Sequence, residues 1–215
     1  MELEPVTLGV DVGQRRDPTA LVVAEQHGHG SAASYSIRHV QRLPLGTPYP
    51  NVAEHIARLT AAIRERDAAE YGTVYGRGEG PRHMQIRCDA TGVGRPVIDL
   101  LQRIIGTDTP IVGVTITGTD HLHHTRHQEW SVGKAYLVSR MQALLQTRRL
   151  TLPDTPEAKE LVQELLNYEI RVAPSTGMLT AGAFGSKHDD LATSLGLAVL
   201  EPYAPIRVVR MPIYR

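Results

Sequence analysis

The chain has 215 residues, enough for one domain with a substantial core, and its 41% hydrophobic and 21% charged content is ordinary for a globular protein. A formal net charge of zero argues against strong autonomous binding to nucleic acid. The single cysteine, Cys88, excludes an intramolecular disulfide and fits a reducing cytoplasm, the N-terminal Met1-Glu2-Leu3-Glu4-Pro5 has no signal-peptide core, and no apolar run approaches the ~20 residues of a membrane span.

Val6, Leu8, Val10 and Val12 alternate with Thr7, Gly9 and Asp11, the period of a strand. Asp17-Pro18 signals a turn, and Thr19 to Ala24 predicts a second strand. After another turn at Gln26 to Ser31, Ser34 to Leu43 predicts a third, so the chain opens with an antiparallel meander. Val52 to Ala69 changes to helical spacing, with Asn51 as the capping candidate. Tyr71 to Arg82 is a Gly- and Arg-rich loop. Met84 to Cys88 predicts a short strand ending in Asp89. The turn Thr91-Gly92-Val93-Gly94 leads to a helix beginning near Pro96 and running to Ile105. Ile111 to Ile116 is a fifth, β-branched strand.

Gly118 to Glu129 is a polar, His-rich loop. Helices are predicted over Val132–Gln146, Pro156–Tyr168 and Asp189–Leu200, with a turn at Ser175-Thr176-Gly177. The order is therefore an α/β fold with a mixed five-stranded sheet, three antiparallel strands then parallel ones, and helices on both faces. Residues 1–200 form the domain, and 201–215, with three prolines and no period, form a tail. The first and fourth strands should end side by side, which brings Asp11 and Asp89 together.

Taken singly, each of these acids suits a turn or a helix start. Taken together, Asp11, Asp89 and the pair Asp189-Asp190 converge on one edge of the sheet. Clustered carboxylates repel and raise one another's pKa, so folding does not favour them without cations. Hard oxygen ligands suit Mg²⁺ or Mn²⁺. Two such ions roughly 3.5–4 Å apart can activate a water and stabilise the leaving oxygen of a phosphodiester. Lys134, Arg95 and Lys187 flank these acids in sequence and are candidate contacts for DNA phosphates.

Leu8-Gly9-Val10-Asp11-Val12-Gly13 with Asp17-Pro18-Thr19-Ala20, then Asp89-Ala90-Thr91-Gly92-Val93-Gly94-Arg95-Pro96, then Lys187-His188-Asp189-Asp190-Leu191-Ala192 resemble, in order, three motifs of the phage large terminase nuclease domain. The likeness runs from about Leu8 to Leu200. It implies a ribonuclease H-like fold, shared in outline with Holliday-junction resolvases, and two-metal hydrolysis of double-stranded DNA during viral genome packaging. It implies that Asp11 bridges both ions, that Asp89 holds one, and that Asp189 or Asp190 holds the other. Neighbouring helical residues point about 100° apart, so those two are not equivalent, and the sequence leaves the choice open. His188 would orient water or a ligand. The implied partners are an ATPase motor, a small terminase subunit and the capsid portal, at the procapsid in the host cytoplasm. No G-x-x-x-x-G-K-[ST] motor motif occurs in the chain.

Two other readings share these residues. ATP-binding domains of the sugar-kinase, actin or heat-shock-chaperone type also open on a strand ending Asp-x-Gly, but carry two copies of the fold in roughly twice this length. A docking module without catalysis would not need every acidic position filled. The histidines of the Gly118–Glu129 loop include an i, i+4 pair, His123 and His127, without the remaining ligands of a zinc motif.

Overall fold

The structure is a computed structural model that describes residues 5–13, 17–72, 83–92, 94–107, 109–118, 122–126, 128–172, 179–183 and 189–200. The meander is present as β1 (Val6–Asp11), β2 (Ala20–His27) and β3 (Ser34–Arg42), each pair antiparallel. Helix α1 (Tyr49–Tyr71) returns the chain to β4 (Met84–Asp89), which lies parallel to β1, and α2 (Gly94–Ile105) leads to β5 (Ile111–Thr117), parallel to β4. Alternating βα units of this kind force parallel pairing through a crossover helix.

The sheet is wider than the five predicted strands. β6 (Leu122–Arg126) and β7 (Glu129–Gly133) extend it beyond β5, and the two-residue β8 (Leu150–Thr151) pairs with β3 at the other edge. The full order is β6-β7-β5-β4-β1-β2-β3-β8. The stretch read as a His-rich loop therefore contains β6, with His123 on a strand; His127 lies outside the described residues. Polar edge strands lack the apolar alternation that marks a half-buried strand.

Three more helices follow, α3 (Lys134–Gln146), α4 (Pro156–Leu166) and α5 (Asp190–Ala198), with a separate hairpin of β9 (Tyr168–Val172) and β10 (Leu179–Ala183) between the last two. The predicted turn at Ser175-Thr176-Gly177 and the tail 201–215 lie outside the described residues. Helix α1 starts at Tyr49, not Val52, and Pro48 stands at its cap in place of Asn51. Pro50 is tolerated there because first-turn N–H groups have no intrahelical partner. No helix among the described residues is long and apolar enough to cross a membrane.

The core has two sides. Val6, Leu8 and Val10 of β1, with Ile86 and Cys88 of β4, pack against Val52 and Ile56 of α1 and Val97 and Leu101 of α2. On the opposite face Val22 of β2 and Ile37 of β3 meet Met141 of α3, Leu161 of α4 and Leu191 and Leu195 of α5. A register shift in β3 moves the partner of Val23 to His39 while Ala24 faces Ile37, leaving Arg38 as an extra residue. That bulge explains why Ile37 and Val40, at odd spacing, reach the same core.

Every residue of α5 is buried. It lies directly on β1: a Cβ at Gly9 would stand 2.1 Å from the Ser194 carbonyl oxygen and 2.7 Å from the Ala198 nitrogen. Only glycine allows that approach.

Candidate metal centre

Asp11 closes β1 opposite Ala20, and Val10 pairs with Cys88, so Asp11 and Asp89 end neighbouring parallel strands. Open α/β sheets expose their crevice at this carboxyl edge. The Asp11 amide donates to Ser194 Oγ at 3.0 Å, and that hydroxyl donates to the Ala20 carbonyl at 2.9 Å, which fixes the first half of α5 to the end of β1. Asp89 Oδ1 accepts from the Thr91 amide at 2.7 Å, and Thr91 Oγ1 accepts from the Ile116 amide at 2.9 Å. A Cβ on Gly94 would overlap the Asp89 carbonyl oxygen at 1.6 Å, so α2 begins against the very residue that ends β4.

Helix α5 points its N-terminus at the same place. Asp189 is its capping residue and Asp190 its first residue. Asp11, Asp17, Thr91, Asp189 and Asp190 line a cleft of about 300 Å³. Asp89 is not on that lining; it stands beside Asp11 and acts on it by charge.

Burial raises the Asp11 carboxyl well above the usual carboxylate range, and the charges of Asp89, Asp190 and Asp189 raise it further, while Lys134 opposes them. Burial also raises Asp89, against its hydrogen bonds from Thr91 and the charge of Lys134. The fully buried Cys88 thiol is pushed up by burial and then by Asp89 and Asp11, which makes it packing and not a nucleophile.

Two side-chain cations sit among the acids. Lys134 Nζ lies 2.7 Å from Asp189 Oδ2, with both side chains about one-third exposed. Arg42 Nε donates to Asp190 Oδ2 at 2.7 Å, and Asp190 is buried. Among the described residues, Asp11, Asp89, Asp189 and Asp190 thus face Lys134 and Arg42, an excess of carboxylates. The donors are hard oxygens and fit a divalent cation such as Mg²⁺ or Mn²⁺. Among the described residues no three His, Cys, Asp or Glu side chains are yet set to close on one ion.

Of the residues singled out in the sequence, Asp11, Asp89, Asp189 and Asp190 come together, and Lys134 joins them. Arg95 pairs instead with Glu129 at 2.8 Å and is not on the cleft lining. His188 and Lys187 lie outside the described residues. Sequence reasoning missed Arg42, Glu164, Asp17 and Ser194. Glu164 left a signal: it falls three residues after Leu161 on the inward stripe of α4, and both are buried. A carboxylate on such a stripe calls for a cation.

No protein-family model and no curated protein sequence matches the chain. Solved structures do. The large terminase nuclease of the thermophilic phage G20c superposes with a TM-score of 0.60 at 20% identity, covering 91% of this chain and 81% of that one. The chain has the fold of large terminase nucleases. A magnesium-bound structure of the same phage nuclease gives 0.54 at 20% identity, covering 91% and 80%. The human cytomegalovirus terminase nuclease domain, soaked in manganese, gives 0.56 at 12% identity, covering 91% and 82%. At these identities the shared property is the ribonuclease H-like fold: a mixed sheet opened by an antiparallel meander, with helices on both faces and the carboxyl ends of β1 and β4 adjacent.

Proposed function

We propose that this chain is a divalent-metal-dependent endonuclease that hydrolyses double-stranded DNA during viral genome packaging. The observation that carries the reading is the half-buried Asp11 carboxyl, held at a strand end beside Asp89 with Asp189 and Asp190 facing it from α5. Folding alone gains nothing from such a cluster. Two structural relatives are described with bound magnesium or soaked manganese, which supports the same class of ion here.

Asp11 would hold two ions, Asp89 one of them, and the α5 pair the other. Bound there, the ions would activate the attacking water and stabilise the leaving oxygen. The strand ends, hydrogen-bonded to Ser194 and Thr91, hold the Asp11 backbone and the Asp89 carboxylate in place, so little reorganisation would accompany ion binding. Lys134 neutralises Asp189 before an ion arrives and would turn to a DNA phosphate afterwards. Arg95 and Lys187 are further phosphate contacts in this reading, and His188 orients the attacking water. Zero net charge gives little non-specific affinity for DNA, so intrinsic cutting is weak. An ATPase motor, a small terminase subunit and the capsid portal would deliver DNA at the procapsid in the host cytoplasm.

Supercoiled plasmid incubated with the purified chain tests the reading. With Mn²⁺ or Mg²⁺, nicked and linear products are expected. EDTA abolishes them, and Asp11→Asn slows them by about 10³-fold, the loss of several kcal/mol of metal-borne stabilisation. No cleavage by a folded sample with either ion would overturn it.

A further inference from the structure

Arg42 ends β3, a strand away from the acid-bearing β1, yet all three guanidinium nitrogens are spent on carboxylates around the N-terminus of α5. Nε donates to Asp190 Oδ2 at 2.7 Å, Nη1 donates to Glu160 Oε2 at 2.6 Å, and Nη2 donates to Glu164 Oε1. Nη2 also lies 3.5 Å from Asp190 Oδ1, too far for a strong bond. Glu164 is buried, and its other oxygen accepts from the Ala192 amide at 2.9 Å. That amide belongs to the first turn of α5, whose N–H groups have no partner within the helix. Arg42 and Glu164 therefore grip this turn twice, once through the Asp190 side chain and once through the backbone. The two gripping residues come from different elements, β3 and α4.

We propose that Arg42, braced by Glu164, is a positioning residue that presents the Asp190 carboxylate to a divalent ion in the cleft. The proposal rests on the metal-dependent reading above and adds to it the device that sets one ligand. A planar guanidinium bound at Nε fixes the carboxylate plane in a way an ammonium cannot. The Nε bond engages Oδ2, and Asp190 stands on the cleft lining. Partners that orient a ligand in this manner typically contribute 10–100-fold, an order-of-magnitude range, to metal affinity.

Mn²⁺ titration by calorimetry, run on the full chain and on Arg42→Lys, Arg42→Gln and Glu164→Gln, decides it alongside plasmid cleavage. Arg42→Lys and Arg42→Gln should each weaken Mn²⁺ binding by about tenfold or more and raise the Mn²⁺ needed for half-maximal cleavage in step, with DNA affinity unchanged. Glu164→Gln keeps an oxygen for the Ala192 amide and should weaken binding about threefold, which guards against loss of folding in the arginine variants. Folded variants that bind Mn²⁺ like the parent overturn the proposal while leaving the nuclease reading in place. A parent that binds Mn²⁺ without cutting DNA overturns the nuclease reading, and the calorimetric comparison still judges Arg42. A parent that neither binds nor cuts overturns both.

Discussion

The two ends of α5 pose opposite electrostatic problems, and the described residues meet them differently. At the C-terminal end, cations meet carbonyls. Arg87, buried on β4 with its guanidinium 5.1 Å from the centre of the Trp130 ring, donates from Nη1 to the Leu197 and Leu200 carbonyls. Arg140 of α3 donates from Nε to the Val199 carbonyl and from Nη2 to Tyr35 Oη, stacked 5.6 Å from that ring. Positive charge at a helix C-terminus is favourable, and the Leu197, Val199 and Leu200 carbonyls are satisfied. At the N-terminal end the helix dipole also favours the acids, but the acids outnumber Lys134 and Arg42. One end joins cations to carbonyls. The other, among the described residues, keeps more acids than cations.

This contrast can be broken most severely where both ends depend on the same support. Gly9→Ala would drive a methyl into the Ser194 carbonyl and the Ala198 amide. Neither is a flexible side chain that can swing away. The variant should lose at least about 3 kcal/mol in urea unfolding and also weaken Mn²⁺ binding, because α5 carries Asp190 away from β1. A variant of parental stability would show that α5 does not bear on β1 so closely.

Arg87→Met separates the ends. It removes two charge-assisted bonds to buried carbonyls while keeping apolar volume against Trp130, and should cost about 2 kcal/mol. The loss should be the same in EDTA and in Mn²⁺. A loss that Mn²⁺ abolishes would mean the two ends are coupled through the helix.

How much of this was legible follows the same division. The central strands were readable from their apolar alternation, and the acids at their tips because each is followed within three residues by a glycine that marks the turn. The three motifs sit where short-range rules are strong: a strand end, a Gly turn, a helix start. Strand β6 was not readable, since His123 and His124 give no apolar alternation, and the short alternation Trp130, Val132 of β7 was absorbed into the helix predicted from Val132, its parallel pairing with β5 being a long-range decision. Arg42 was invisible for another reason. Its partners lie 118 to 148 residues away, and an arginine closing a half-exposed strand looks like any other until α4 and α5 pack beside it. The choice between Asp189 and Asp190 stayed open in the sequence for the same cause: what separates them is that one meets Lys134 and the other Arg42.

The smallest effect expected is the most diagnostic of the acidic end. The raised Asp11 and Asp89 carboxyls mean that the metal-free fold holds their protons more tightly than the unfolded chain does. Their contribution to stability is fully present below the unfolded value, about 4, and is lost as pH rises through their raised folded values. In EDTA the chain should therefore become less stable from mildly acidic toward neutral pH. Asp11→Asn removes the most buried of these charges, so it should gain about 1 kcal/mol at neutral pH, roughly 2–4 °C in Tm for a chain this size, and almost nothing near pH 4. Saturating Mn²⁺ should reverse the order, since the parent gains binding energy that the variant has lost. Melting curves of both proteins at two pH values, with and without Mn²⁺, give the four comparisons. If Asp11→Asn is destabilising in EDTA at neutral pH, the acid cluster is already neutralised by its own lysine and arginine, and the argument that it awaits a cation fails.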